Sequence, residues 1–269
     1  MGEASLSFTV ASYNILADAY IQRAGYPRTP RMVLNPAWRR RALVERVGAL
    51  QADILCLQEV EPRIHAALGA RLGVLGYGAQ YGGKNGARPD GCALFFRQEA
   101  FALIDSRLLA YSDGGGDSAD SGNVALIARF RSARAVIGVV NTQLTWDPPG
   151  TPLESQRGYR QARQLLLECE KIAHSAKTWI LAGDFNATPG SETVSMIDRA
   201  GFRYAHQNRA GVYTCNFNSQ AKMIDYLFHS STLASEPQAI SFIDDRTVLP
   251  SAEEPSDHVA IVAQFEWKY

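Results

Sequence analysis

Polar residues recur where apolar runs of this chain end. Asn14 closes the run that starts at Leu6, and Glu59 follows Asp53 to Leu57 by way of Gln58. Asn141 and Gln143 follow Ala135 to Val140, and Asp184 and Asn186 follow Trp179-Ile180-Leu181-Ala182-Gly183. Asp225 sits in Met223-Ile224-Asp225-Tyr226, and Asp257-His258 immediately precedes the last apolar run. A single polar residue after a strand is ordinarily a turn former. Repetition along one chain points instead to strand ends that share one crevice. Glu59, Asp184 and Asp257 offer hard oxygen ligands, and Asn14 and Asn186 add neutral oxygens. That donor set suits Mg²⁺ or Mn²⁺ rather than zinc. An imidazole beside a carboxylate, as in Asp257-His258, suits phosphoryl chemistry, because it can donate a hydrogen bond to charge developing on a phosphate oxygen.

The elements that must position these residues alternate. Leu6 to Tyr13, Asp53 to Leu57, Cys92 to Phe96, Thr178 to Ala182, Met223 to Phe228 and Val259 to Phe265 are expected as strands. Asn123 to Phe130 and Ala135 to Val140 predict a hairpin. Pro36 to Leu50 predicts a helix with Leu43, Val44, Val47 and Leu50 on one face. Thr151-Pro152-Leu153-Glu154 predicts a capping-box start to a second helix, which buries Tyr159, Ala162, Leu165, Leu166, Cys169, Ile172 and Ala173. About eight to eleven strands and three or four helices are expected in one layered α+β domain spanning 1–269. The Gly/Ser/Asp-rich stretch 112–122 is expected as a flexible surface loop.

Composition narrows the function. Lys plus Arg and Asp plus Glu are 27 each, which excludes a protein that holds nucleic acid by bulk positive charge. Cys56, Cys92, Cys169 and Cys215 are widely spaced with no CxxC, so neither a redox pair nor a structural zinc site is expected. Reduced thiols, together with no signal peptide, no myristoylation signal (Leu6 stands at its Ser/Thr position) and no long apolar span, predict a cytoplasmic location without membrane insertion.

Ser12-Tyr13-Asn14-Ile15-Leu16, Leu57-Gln58-Glu59-Val60, Gly183-Asp184-Phe185-Asn186-Ala187-Thr188-Pro189 and Ser256-Asp257-His258 resemble, in the right order, the endonuclease/exonuclease/phosphatase superfamily. The resemblance implies a four-layer α/β sandwich of two mixed β-sheets flanked by helices. Asp90 to Phe96, Trp146-Asp147-Pro148, Ile224-Asp225-Tyr226, Pro255 to His258, and Trp38 with Arg41 look like the branch holding the mRNA deadenylase catalytic subunit and nocturnin. By that resemblance Glu59, with Asn14 nearby, holds the metal, and Asp257 contributes to a second metal position. Asp184 activates or orients the attacking water, Asn186 positions the phosphate, His258 stabilises transition-state charge and Asp225 orients its imidazole. Lys84 resembles a phosphate-contacting lysine, and Asn141 falls within the substrate-binding strand motif. Pro148 and Phe217 fall where the deadenylase sandwiches a base. On their own chemistry, Lys84 is equally a solvated loop charge, Pro148 turn punctuation and Phe217 a core aromatic. Trp38-Arg39-Arg40-Arg41 reads as a solvated helix face with one buried Trp.

One departure stands out. The family motif Asn-Thr-His-Leu is here Asn141-Thr142-Gln143-Leu144. An amide can hydrogen-bond a phosphate oxygen but has no proton to give a leaving group. The implied function is a Mg²⁺-dependent phosphodiesterase acting on the 3′ end of single-stranded RNA, a 3′→5′ exoribonuclease. The alternatives are a phosphatase or phosphodiesterase on a small nucleotide and, behind it, a lipid phosphodiesterase. No protein-docking repeat is recognisable.

Overall fold

The computed structural model describes residues 7–115, 118–172, 176–207, 209 and 211–268. The expectations that touch Leu6, Ala173 and the N-terminal signals lie outside them. Numbered in chain order, β1 (Ser7–Asn14), β2 (Ile54–Val60), β3 (Tyr77–Gly83), β4 (Gly91–Arg97), β13 (Leu233–Pro237) and β14 (Ile261–Trp267) form one six-stranded sheet, ordered β13-β14-β1-β2-β4-β3. A second six-stranded sheet runs β5-β6-β7-β8-β12-β9, from β5 (Ala102–Ala110), β6 (Val124–Arg131), β7 (Val136–Gln143), β8 (Thr178–Asp184), β9 (Phe202–Tyr204) and β12 (Asp225–Ser230). A small hairpin of β10 (Cys215–Phe217) and β11 (Gln220–Lys222) stands apart.

Strand side chains alternate between faces, and a strand covered on both faces reads as a continuous apolar run. In β1, Phe8 and Val10 enter the core between the sheets, while Ala11 and Tyr13 face the helices outside. In β8, Ile180 and Ala182 point inward and Trp179 and Leu181 outward. Leu43 and Val47 of α1 (Pro36–Leu50), with Ile64, Leu68 and Leu72 of α2 (Pro62–Gly73), cover the first sheet. Ala162, Leu165 and Cys169 of α3 (Arg157–Lys171), with Val194 and Ile197 of α4 (Glu192–Arg199), cover the second. The result is four layers, as expected. Among the described residues no helix is long and apolar enough to cross a membrane.

Both sheets are mixed, and each has one parallel pair at its centre. β1 pairs parallel with β2 after the α1 crossover, and β7 pairs parallel with β8 after α3. Parallel neighbours need such crossovers, and they bring carboxyl ends side by side. The registers set Asn14 opposite Gln58, Gln143 opposite Asp184, and Asp184 opposite Asp225.

Local chemistry differs from expectation at three places. Helix α1 begins as predicted, because Asn35 Oδ1 accepts from the amides of Ala37 (3.0 Å) and Trp38 (3.1 Å) and Pro36 takes the first helical position. Its buried charge is unexpected: Trp38 is half-buried and Arg39 is 1% exposed. Helix α3 starts later than the Thr151 capping box, which does not form. Thr151 Oγ1 donates to the Pro148 carbonyl (2.7 Å), and residues 153–155 make a single 3₁₀ turn. Asp147 supplies the cap instead, its carboxylate accepting from the amides of Arg157 and Gly158 at 2.8 Å each. Of the stretch 112–122, residues 116–117 lie outside the described residues; the rest is largely exposed, and its two ends are tied where buried Asp113 (0% exposed) accepts from Gln161 Nε2 and the Ser121 amide.

Candidate active site

The cleft is the open end of the space between the sheets. Along the inner face of β7, Ile137 and Val139 lie in the core, Asn141 follows, and Gln143 reaches the rim. Along β8 the same face carries Ile180, Ala182 and then Asp184. A polar layer seals the core below the rim. Gln58 Nε2 donates to Asn141 Oδ1 (2.7 Å) and Ser12 Oγ (3.2 Å), while Asn141 Nδ2 donates to the carbonyls of Leu57 (2.9 Å) and Ala93 (2.7 Å). Asn141 is 0% exposed and joins the sheets, so its side chain serves the fold and does not face substrate.

Glu59 breaks the alternation. After Gln58 on the inner face, a regular strand would send it toward the helices. A register shift between Leu57 and Val60 and a left-handed backbone at Glu59 (φ 57°) swing it into the cleft instead. There its Oε1 accepts from Asn14 Nδ2 (3.0 Å) and Gln143 Nε2 (2.7 Å), and its Oε2 accepts from the Ala17 amide (2.9 Å). Lys84, 9% exposed, places Nζ 2.6 Å from both Gln143 Oε1 and Asp90 Oδ2. It is therefore a buried charge, not a solvated one. Burial pushes the Glu59 carboxyl up, but the Lys84 charge and the donors from Asn14, Ala17 and Gln143 outweigh it and hold the group below the usual range.

Across the cleft Asp184 is 1% exposed. Its Oδ2 accepts from Asn14 Nδ2 (3.0 Å) and Gln143 Nε2 (3.2 Å), and its Oδ1 from the Asn186 amide (3.0 Å). Gly183 before it allows close strand packing, because a Cβ there would sit 2.0 Å from the Thr142 carbonyl oxygen. Asn186, also left-handed (φ 49°), donates Nδ2 to the Leu144 carbonyl (2.8 Å). His258 Nδ1 lies 2.9 Å from Asp225 Oδ2, and Nε2 lies 3.9 Å from Asp184 Oδ2. Burial drives the Asp184 carboxyl up to about 7; His258 pulls against it and Asp225 adds to it. Burial alone would push the His258 imidazole down, and the Asp225 charge and Cys215 beside it reverse that and hold it well above its ordinary value. Burial likewise raises Asp257.

The structure thus brings Asn14, Glu59, Lys84, Gln143, Asp184, Asn186, Asp225, Asp257 and His258 to one end of the inter-sheet space. Pro148 lies exposed in the loop after β7, its carbonyl engaged by Thr151. Phe217 is 43% exposed, which rules out a core aromatic, and packs edge-on against Tyr26 with centroids 5.6 Å apart. Tyr26 in turn donates to Asp257 Oδ2 at 2.9 Å, so Phe217 stands at the rim.

Sequence reasoning missed Arg39. Its guanidinium donates to the carbonyls of Ile15 (2.8 Å), Leu16 (2.7 Å) and Pro255 (3.0 Å) and pairs with Asp18. It ties the segment after Asn14 to the segment before Asp257. Ser256 Oγ adds a second tie, donating to the Asn14 carbonyl at 2.7 Å. The signal was the spacing, since Arg39 stands four and eight residues before Leu43 and Val47 on the buried face.

The chain's relatives have names. It is 30% identical over 214 residues to human Protein angel homolog 2, covering 75% of this chain and 39% of that protein. It is 28% identical over 356 residues to the CCR4-Not complex 3′-5′-exoribonuclease subunit Ccr4 of Yarrowia lipolytica, covering 97% of this chain and 48% of that one. The chain thus spans half or less of these two relatives. Among solved structures, ANGEL2, a 2′,3′-cyclic phosphatase, in complex with adenosine-2′,3′-vanadate superposes with TM-score 0.84 at 24% identity, covering 98% and 96% of the two chains. The human Nocturnin catalytic domain with bound sulfate superposes with TM-score 0.76 at 25% identity, covering 97% and 94%. The family model matches residues 11–258, from the strand that ends in Asn14 to His258 itself, and the chain belongs to the Endonuclease/Exonuclease/phosphatase family.

Proposed function

We propose that this chain is a Mg²⁺-dependent phosphodiesterase that removes nucleotides from the 3′ end of single-stranded RNA. The observation that carries the reading is the row Gln143, Asp184, Asp225 with His258 seated against Asp225, facing Glu59 across the cleft. The donor set fits a divalent cation. Asp257 Oδ1 and Asp225 Oδ1 are buried without hydrogen-bond partners, an arrangement that favours a bound cation nearby. Glu59 and Asp257 would hold Mg²⁺ or Mn²⁺ through oxygen, with Asn14, whose amide nitrogen faces Glu59 and Asp184 while its oxygen accepts from the Leu16 amide, bracing the site. Such a cation supplies charge neutralisation at the phosphate.

The protein groups divide the remaining work. Asp184 accepts the proton of the attacking water, a role suited to a carboxylate whose affinity for protons burial has raised. Asp225 keeps the His258 imidazole protonated at Nδ1 and fixes its plane, so that Nε2–H is free to stabilise charge on phosphate oxygen. Asn186 positions the phosphate. Gln143, held by Lys84, bridges Glu59 and Asp184 through its amide hydrogens and has no proton to give a leaving group. Phe217 offers a ring face to a terminal base, worth about 1–3 kcal/mol.

A second reading rests on Gln143. A site without a leaving-group acid at that position suits a small nucleotide or a strained cyclic phosphate, whose ring opening needs less help. Three substrates separate the two readings: an oligoadenylate with a free 3′ hydroxyl, the same oligomer ending in a 2′,3′-cyclic phosphate, and NADP. Mononucleotides released stepwise in Mg²⁺ support the first. An opened terminal phosphate on an intact oligomer, or dephosphorylated NADP, supports the second. No product from any of them overturns both.

A further inference from the structure

Beside Asp257 and His258 the cleft carries a sulfur to which the proposed chemistry gives no step of its own. Cys215 opens the β10 hairpin strand, and its backbone makes an isolated antiparallel bridge with His258. The Asn216 amide donates to the Asp257 carbonyl (2.9 Å) and the Val259 amide to the Thr214 carbonyl (2.8 Å), locking the two segments together. In consequence the Cys215 Sγ, a carboxylate oxygen of Asp257 and an imidazole nitrogen of His258 lie within 4.8 Å of one another, all on buried residues. Asp257 Oδ2 is taken by Tyr26, but Oδ1 is buried with no partner. The other thiols cannot compete, because Cys56 and Cys92 are sealed between the sheets and Cys169 lies on the buried face of α3 against the second sheet.

Sulfur, imidazole and carboxylate together make a donor set for zinc, whereas magnesium takes oxygen alone. We infer that Cys215, Asp257 and His258 form a Zn²⁺ site that inhibits the enzyme. On binding, the Cys215 thiol releases its proton to solvent and the thiolate sulfur bonds the ion. The same ion engages His258 and withdraws its imidazole from the substrate phosphate, and it competes with Mg²⁺ for Asp257. The inhibitory half of this inference rests on the role proposed above for His258. The binding half does not.

The test uses the full chain in excess Mg²⁺, with Co²⁺ as the coloured stand-in for Zn²⁺. Titration is expected to raise a thiolate-to-cobalt charge-transfer band that saturates at one ion per chain and is bleached by Zn²⁺. Loss of a second-shell partner already weakens metal binding about tenfold or more, so Cys215→Ser and Cys215→Ala should weaken Zn²⁺ binding by at least about tenfold and abolish the band. His258→Gln, which leaves the thiol in place, should also weaken binding and provides an independent variant if the cysteine substitutions unfold the chain. Absence of the band in the unsubstituted protein, or its survival in both cysteine variants, overturns the site. In hydrolysis assays, Cys215→Ser should need at least about tenfold more Zn²⁺ for half inhibition. A thiolate band without any inhibition overturns the inhibitory half. A band in a protein that hydrolyses none of the three substrates defeats the proposed function and leaves the site standing. Hydrolysis with no band does the reverse.

Discussion

The two sides of the cleft treat a carboxylate in opposite ways. On the β2 side, Glu59 is half-buried and ringed by donors from Asn14, Ala17 and Gln143, with the Lys84 charge behind them, and its carboxyl is held ionised. On the β8 side, Asp184 and Asp225 stand opposite each other in register, buried, with His258 as the cation between them, and burial raises Asp184. The lesson is a division of labour. Donors and a buried lysine make a fixed negative charge suited to holding a cation. Crowded carboxylates around one imidazole make a group that exchanges protons.

The largest test of that division removes the cation. Chelation should abolish hydrolysis, Mg²⁺ or Mn²⁺ should restore it and Ca²⁺ should restore it poorly, because the oxygen site favours small octahedral ions. Full activity after exhaustive EDTA treatment would end the metal mechanism. Next come the two carboxylates. Glu59→Gln and Asp184→Asn should each lower turnover at physiological Mg²⁺ by at least about 10²-fold, through different parameters. Excess Mg²⁺ should partly rescue Glu59→Gln, whereas Asp184→Asn should stay slow at saturation. If both respond to Mg²⁺ alike, the two sides do the same work.

Gln143 touches both sides, so its substitution should have an intermediate effect. Gln143→Ala removes a hydrogen-bond partner from two carboxylates and from Lys84 and should lose about 1–3 kcal/mol of transition-state stabilisation. Gln143→His should be neutral or slower, since a ring cannot accept from Lys84 and donate to Glu59 and Asp184 at once. A faster histidine variant with a new acidic limb in its pH–rate profile would contradict this.

The smallest effect concerns a second buried histidine. His206 is 2% exposed, and unlike His258 it has no carboxylate hydrogen-bonded to its ring among the described residues; burial pushes its imidazole down to about 4. Below its unfolded value of about 6.5 the unfolded chain takes up a proton that the folded chain refuses, so stability is lost as pH falls from there toward 4. The loss should reach about 2–3 kcal/mol and leave turnover at neutral pH unchanged. Urea unfolding at several pH values, with His206→Gln as the control that flattens the slope, checks it; an unaltered slope in the variant refutes the assignment.

Much of this arrangement was legible in the sequence. The apolar runs are strands because both faces are covered, and the Asn35-Pro36 cap marks the start of α1. Edge strands were harder to see. In β5 the side chains are mostly exposed, and the polar run Asp105-Ser106-Arg107 with a register shift after Leu103 breaks the alternation, while β3 is rich in glycine. Period alone also could not separate Asn141 from Gln143. They share one face of β7, and only the height at which the two sheets part decides that one seals the core and the other reaches the rim beside Glu59. Arg39 was hidden by its own charge, although its spacing matched the buried face of α1. Pro148 lies in a connection and Phe217 ends the three-residue strand β10, and no periodicity sets the path of either.

Glu59 and Asn186 both sit in the left-handed region, where a side chain costs about 1–2 kcal/mol relative to ordinary backbone. Replacing either with glycine would relax the chain and remove the group that the contortion presents. Selection for a firmer fold and selection for activity therefore pull in opposite directions at these two positions. Under the proposed function, a lineage that gave up hydrolysis would be free to relax both positions first.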